Sequence, residues 1–164
     1  MTRKQLFFQE IETHLQDATD EDIEIFSSLF DAARRKQKGE FLSYLSAIMN
    51  EKRKLLDNGD FEIRIPIHSL LNNQLSIVHG GITAALLDTA MGSFVNQSLP
   101  DHLGAVTTEL KLNYLKPGVG KELICIASIV HRGSAFWVCE AKLYNDEESL
   151  IAIGTGSFFI IKKK

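Results

Sequence analysis

The sequence predicts an α+β fold in which an antiparallel sheet wraps one long central helix, with a helical extension ahead of it. Three observations predict this. Residues 106–161 read as four successive strands joined by short connections, with apolar and polar residues alternating, and such runs pair with their neighbours in antiparallel sheets. Just before them, Ile82 to Val95 carries apolar residues at helical spacing, which marks one embedded helix. Residues 1–39 differ in texture: they are charged, with an apolar stripe at Ile23, Phe26, Leu29, Phe30 and Ala33. The 164 residues therefore divide into an N-terminal helical extension, 1–39, and a main domain, 40–164, long enough to bury a core of its own.

Each element follows from local chemistry. In the extension, Thr19 followed by Asp22 has the spacing of a capping box, although that motif prefers Glu or Gln at its last place. Gly39 ends the helix. The stripe between them reads as a face packed on the main domain. Phe41 to Leu45 reads as a short further turn of helix. Ser46–Leu56 and Phe61–Ile67 then flank Asp57-Asn58-Gly59-Asp60, and Asn-Gly between extended runs is a strong hairpin signal. Pro66 ends the second of these strands or places it at an edge. Beyond the helix the strands are Val106–Leu115, Glu122–Val130, Ala135–Tyr144 and Ser149–Ile161. Pro117-Gly118, His131 to Ser134 and Asn145 to Ser149 supply the turns.

Composition excludes several classes of function. With 45% hydrophobic and 24% charged residues the chain is an ordinary globular one. A net charge of -3 and a pI near 5.9 lack the basic footprint of nonspecific nucleic-acid binding. Arg34–Lys38 and Lys162–Lys164 read as solvated faces. Cys125 and Cys139 sit in apolar alternating runs, as small buried hydrophobes do, without metal-ligand spacing. No segment has the apolar length of a signal peptide or a membrane span, so the expected location is cytoplasmic.

The central helix is unusual on one side. Ile82, Leu86, Leu87, Ala90, Met91 and Phe94 occupy half of its circumference and form the core face. Gly81, Ala84, Ala85, Asp88 and Gly92 gather on the other half. A solvent-facing strip would carry Lys, Glu and Gln, so small residues there imply close packing by a second subunit or a ligand. Gly92 in particular calls for a reason, because Gly costs roughly 1 kcal/mol relative to Ala in a helix. Asp88 in this strip would be partly desolvated. Gly80 and Gly81 open the helix, where N–H groups lack partners and the positive end of the dipole emerges, so a carbonyl oxygen placed there is stabilised as it becomes an oxyanion. His79 precedes them and can orient a carbonyl or bind a polar group.

These residues carry a resemblance. "NQLSIVHGG" followed by "LLD" resembles the acyl-coenzyme A thioesterases of the hotdog fold, in the branch typified by phenylacetate-pathway thioesterases. Asn73 stands six residues before His79, and Asp88 nine after it, as the family pattern asks. The likeness extends from about Phe41 to Ile161 and includes "VTTELKLNYLKPG" and the closing "GTGSFFI". It implies a curved sheet around the helix and a homodimer with active sites at the dimer interface, often paired again into a homotetramer. By motif position Asp88 is nucleophile or general base, Gly80 and less directly Gly81 offer the oxyanion N–H, and His79 and Asn73 orient the thioester or the water. A strand hydroxyl falls on Thr107 or Thr108. Lys116, Arg132 and the adjoining Gly133, and the terminal lysines are candidates for contact with the coenzyme. The resemblance implies no metal and no cofactor, since coenzyme A belongs to the substrate, and no nucleic acid or membrane insertion.

Two rivals share the fold. A non-catalytic acyl-coenzyme A-binding protein, acting as ligand sensor or scaffold, would keep Asp88 without turnover. A hydratase would place its Asp and His in a different local motif. A serine hydrolase using Ser93, Ser134 or Ser157 is set aside because no G-x-S-x-G elbow is present.

Overall fold

Two helices open the chain, and each is started by a threonine. A computed structural model describes residues 1–163, which fall into two units, Met1–Ile48 and residue 49 onward. In the first unit Thr2 caps α1 (Arg3–Gln16) together with Gln5, and Thr19 caps α2 (Asp20–Gln37) together with Asp22. The Asp22 carboxylate accepts from the Thr19 hydroxyl and N–H at 2.7 and 2.9 Å, so the shorter acid serves in a box that usually holds Glu. Those two bonds hold its carboxyl below the usual aspartate range. Gly39, at φ 79°, follows the last turn of α2, as the sequence indicates.

After α2 comes a short helix, α3 (Tyr44–Ile48). Ala32, Phe41 and Ala47 form a small buried cluster with Ile48 against it. The stripe expected to be packed is a different face of α2. Ile23, Phe26, Leu29 and Phe30 are 43, 36, 36 and 50% exposed, so α1 and α3 of the first unit do not cover them.

The second unit is one six-stranded antiparallel sheet. Its strands are β1 (Lys52–Leu55), β2 (Phe61–Pro66), β3 (Leu103–Tyr114), β4 (Glu122–Arg132), β5 (Phe136–Asn145) and β6 (Leu150–Lys162), in spatial order β1-β2-β4-β5-β6-β3. The hairpin at Asn58-Gly59 is present, but β1 has only four residues, all exposed. Of the residues expected to begin it, Ser46 to Ile48 belong to α3, and 49–51 form the connection. β2 stops at Pro66 and lies inside the sheet, between β1 and β4.

The helix α4 (Gly80–Ser98) packs across β2 to β6. It buries Thr83, Leu86, Leu87, Ala90, Met91, Phe94 and Val95, and Phe94 stacks on Phe61 with ring centroids 5.6 Å apart. Fully burying a side chain of this size contributes about 1.5–3 kcal/mol, so this face holds the fold together. The sheet meets it with a small residue: a Cβ added at Gly156 would lie 3.2 Å from Met91 Cε. A Cβ at Gly92 would lie 3.2 Å from Phe158 Cε1. The reason for Gly92 is thus a ring of its own chain, where the sequence pointed to a second subunit or a ligand.

Candidate active site

Helix α4 begins with three residues whose hydrogen bonds differ sharply. His79 N–H donates to Leu71 O at 2.8 Å. Gly81 N–H donates to His79 Nδ1 at 2.9 Å, which places the ring proton of the neutral imidazole on Nε2. No bond to Gly80 N–H occurs among the described residues. The two glycines are also differently constrained. A Cβ at Gly81 would crowd His79 Nδ1 at 3.1 Å, whereas one at Gly80 would make ordinary contact with the Tyr114 ring at 3.6 Å. Gly81 is therefore committed to the His79 cap, while Gly80 keeps an open donor at the positive end of the helix.

Tyr114, the last residue of β3, donates its hydroxyl to Gly80 O at 2.9 Å. This fixes the first turn of the helix against the strand. Tyr114 stands in the "VTTELKLNYLKPG" stretch that carries the family resemblance, but nothing in its spacing indicated that it would reach Gly80.

The turn before the helix is also tied. Asn73 N–H donates to Ile77 O at 2.8 Å, and Ser76 N–H donates back to Asn73 O at 2.9 Å, with Ser76 at φ 56°. Asn73 Oδ1 accepts from Leu75 N–H at 2.8 Å. With one lone pair of its oxygen engaged in this turn, Asn73 offers a ligand its Nδ2 donors and the remaining lone pair of Oδ1.

Asp88 lies half-buried two turns along α4. Thr107 donates its hydroxyl to Asp88 Oδ1 at 2.9 Å. A bulge in β3 between Thr107 and Glu109 separates the roles of the two threonines, because Thr108 turns its hydroxyl to Ser157 O at 3.0 Å. Of the pair left open by the sequence, Thr107 is the one at Asp88. Asn96 fastens the strand nearby: its Oδ1 accepts from Ala105 N–H at 3.0 Å and its Nδ2 donates to Gly92 O at 2.8 Å. No motif announced Asn96.

The remaining predicted residues lie apart. The Arg132 guanidinium stacks over Trp137 at 5.2 Å. It shares a cross-strand row with Trp137, Phe158 and Thr107, so it sits three strands, roughly 14 Å, from Thr107. Gly133 makes the tight β4–β5 turn, where a Cβ would meet Phe136 O at 2.6 Å. Lys116 lies beyond the other end of β3, with Nζ 3.4 Å from Ser149 Oγ. Neither cysteine offers a thiolate, since burial pushes Cys139 up to about 12 and Cys125 higher still.

Asp88 stands eight positions after Gly80 on one rigid helix, which is about 12 Å along its axis. A carbonyl whose oxygen meets an N–H while its carbon is attacked directly by a carboxylate spans about 7 Å, with contacts of about 3 Å at each end, and a bridging water adds one further contact of about 3 Å.

The profile of the thioesterase superfamily matches residues 75–152, covering the start of α4, Asp88, Thr107 and most of the sheet. The chain belongs to this family. It is a thioester hydrolase with the hotdog fold. A Bacillus halodurans protein, BH2602, whose crystal structure contains coenzyme A, is 45% identical, with 94% of this chain and 99% of that one covered and a TM-score of 0.86. The medium/long-chain acyl-coenzyme A thioesterase YigI of Escherichia coli K12 is 29% identical over 98 residues, 52% of this chain and 63% of YigI. The phenylacetate-operon protein PaaI of Escherichia coli shares the fold at 20% identity and a TM-score of 0.68, with 84% of this chain and 98% of that one covered. Among the described residues no helix is long and apolar enough to cross a membrane.

Proposed function

We propose that this thioesterase hydrolyses acyl-coenzyme A in a site shared between two copies of the chain. The observation that carries this reading is the half-buried Asp88 carboxylate, with one oxygen held by Thr107 at 2.9 Å and the other left for chemistry. Asp88 acts as nucleophile or as general base on water. Gly80 N–H receives the carbonyl oxygen as it becomes an oxyanion. With water as the nucleophile, collapse releases the acid and a coenzyme A thiolate. With Asp88 as the nucleophile it releases the thiolate and leaves an acyl anhydride on Asp88 that water then hydrolyses to the acid. A thiolate leaves with little assistance, so one carboxylate and one oxyanion donor suffice.

The separation of about 12 Å between Gly80 and Asp88 on one α4 helix supports assigning them to two different chains at each site. Strand β3 suits the pairing. It is a 12-residue edge strand, mostly exposed, with one row of backbone N–H and C=O groups unpaired. His79 Nε2 and the Asn73 Nδ2 donors orient the thioester or the water, and Arg132 and Lys116 serve the coenzyme's phosphates. Coenzyme A in the BH2602 crystals and the acyl-coenzyme A activity named for YigI support the substrate class. Dimers that pair again into tetramers, in the cytoplasm, complete the reading.

The test is free-thiol release from short, medium, long and aromatic acyl-coenzyme A thioesters by the protein and by Asp88→Asn. Turnover with a chain-length preference, reduced at least about 100-fold in the variant, is expected. Binding of acyl-coenzyme A with no turnover above the variant would overturn catalysis and leave a ligand sensor.

A further inference from the structure

Helix α2 presents two apolar faces, and within the first unit only one of them has a partner. Ala32 is buried with Phe41 and Ala47. The other face is Ile23, Phe26, Phe30 and Ala33, followed by Gln37, at alternating intervals of three and four residues. That is the spacing of the seam in a two-helix coiled coil. Ile23, Phe26 and Phe30 on it are 36–50% exposed, and so is Leu29 beside them. A row of large apolar side chains along 18 residues of helix is more than the scattered exposure that surfaces normally carry.

The charges bordering this seam indicate what covers it. On one border the residues seven apart are Asp20, Ser27 and Arg34; on the other they are Asp22, Leu29 and Lys36. Each border is acidic at the helix N-terminus and basic at the C-terminus. In an antiparallel pair the same border of each helix meets its own copy. Asp20 then faces Arg34 of the second helix across Ser27, and Asp22 faces Lys36 across Leu29. The seam obeys the same symmetry, with Phe26 opposite Phe30 and Ile23 opposite Ala33. Parallel pairing would bring the acidic ends together. One centre, near residue 28, satisfies the seam and both borders, as a two-fold axis requires.

We propose that α2 is a self-association surface that docks antiparallel on α2 of a second copy of this chain. The surface uses no residue of the active site, so it adds a contact beyond pairing through β3.

Cysteine crosslinking of the full-length protein tests it directly. Ser27 lies on the proposed axis, whereas Ser28 points to the opposite side of the helix; both are exposed, and both native cysteines are buried. Under mild oxidation Ser27→Cys is expected to form a covalent dimer and Ser28→Cys is not. In light scattering after gel filtration, Phe30→Glu is expected to halve the mass of the assembly. Asp20→Lys weakens the assembly in low salt, and adding Arg34→Asp restores it, because both ends are then reversed together. Equal crosslinking of the two cysteines, no crosslinking of either, an unchanged mass for Phe30→Glu, or no rescue by the double reversal would each overturn the antiparallel pairing and assign the stripe another occupant.

Discussion

Helices α2 and α4 are almost equal in length, 18 and 19 residues, yet α2 buries one of its residues and α4 buries seven. Both have ordered starts: Thr19 and Asp22 cap α2, and the His79 imidazole accepts from Gly81 N–H in α4. Capping therefore does not distinguish them. The difference is what lies across from the apolar face. Helix α4 meets Gly156 of β6, which lets Met91 approach the sheet, and its free energy comes from burial. Helix α2 keeps a full apolar stripe uncovered by its own unit and relies locally on its caps, on end charges that match the helix dipole, and on a small cluster around Ala32.

The largest effect that would sharpen this comparison comes from truncating each helix once. Leu86→Ala, at a site with no exposure, is expected to lower unfolding free energy by about 2–5 kcal/mol. Phe30→Ala in α2 should stay within about 0.5 kcal/mol when compared in the unassociated chain. Urea unfolding measures both, and equal losses would break the distinction. Next comes Gly92→Ala. Better helix propensity favours it by about 1 kcal/mol, but the new Cβ sits 3.2 Å from the buried Phe158 ring, where overpacking costs about 1–3 kcal/mol. A net loss is expected by the same measurement, and a gain would show that Phe158 yields.

A cap lost from α2 ranks third. Thr19→Ala removes a side-chain cap worth about 1 kcal/mol, to be read from amide exchange in α2 while α4 is unchanged. The same cap responds to pH. Asp22 has a carboxyl pKa lowered below 3.8 by its bonds to Thr19. Its contribution is therefore complete above that value and disappears as pH falls through the lowered one. An NMR titration of the Thr19 and Asp22 amides should show a midpoint below 3.8, and a midpoint at or above it would remove the cap's charge dependence. The smallest effect concerns the thiols under the sheet. Cys139 and Cys125 should resist labelling at pH 8 until the protein is unfolded, and rapid labelling of the native protein would show that this layer opens.

The sequence showed α4 and its core face clearly, because six apolar residues at one helical phase leave little choice of burial. The strands after it were equally plain, since alternation and turn residues agreed. β1 was not, because "KRKL" has no alternation and is a strand only through pairing with β2. At the site, the spacing from Asn73 through His79 to Asp88 marked the turn before α4, its N-cap and its half-buried carboxylate. Which Thr meets Asp88 depends on a bulge, and why residue 92 is Gly depends on where Phe158 lands. Both are long-range facts that no local pattern records. The same holds for the α2 stripe, whose period was legible while its partner was not.

The rise along α4 that keeps Gly80 and Asp88 apart also governs inheritance. If each site draws one residue from each chain, a Gly80-defective allele and an Asp88-defective allele are both dead alone and complement when expressed together. Every mixed dimer then concentrates both lesions in one site and leaves the other whole, so random pairing of equal amounts returns roughly a quarter of the normal activity from two inactive proteins.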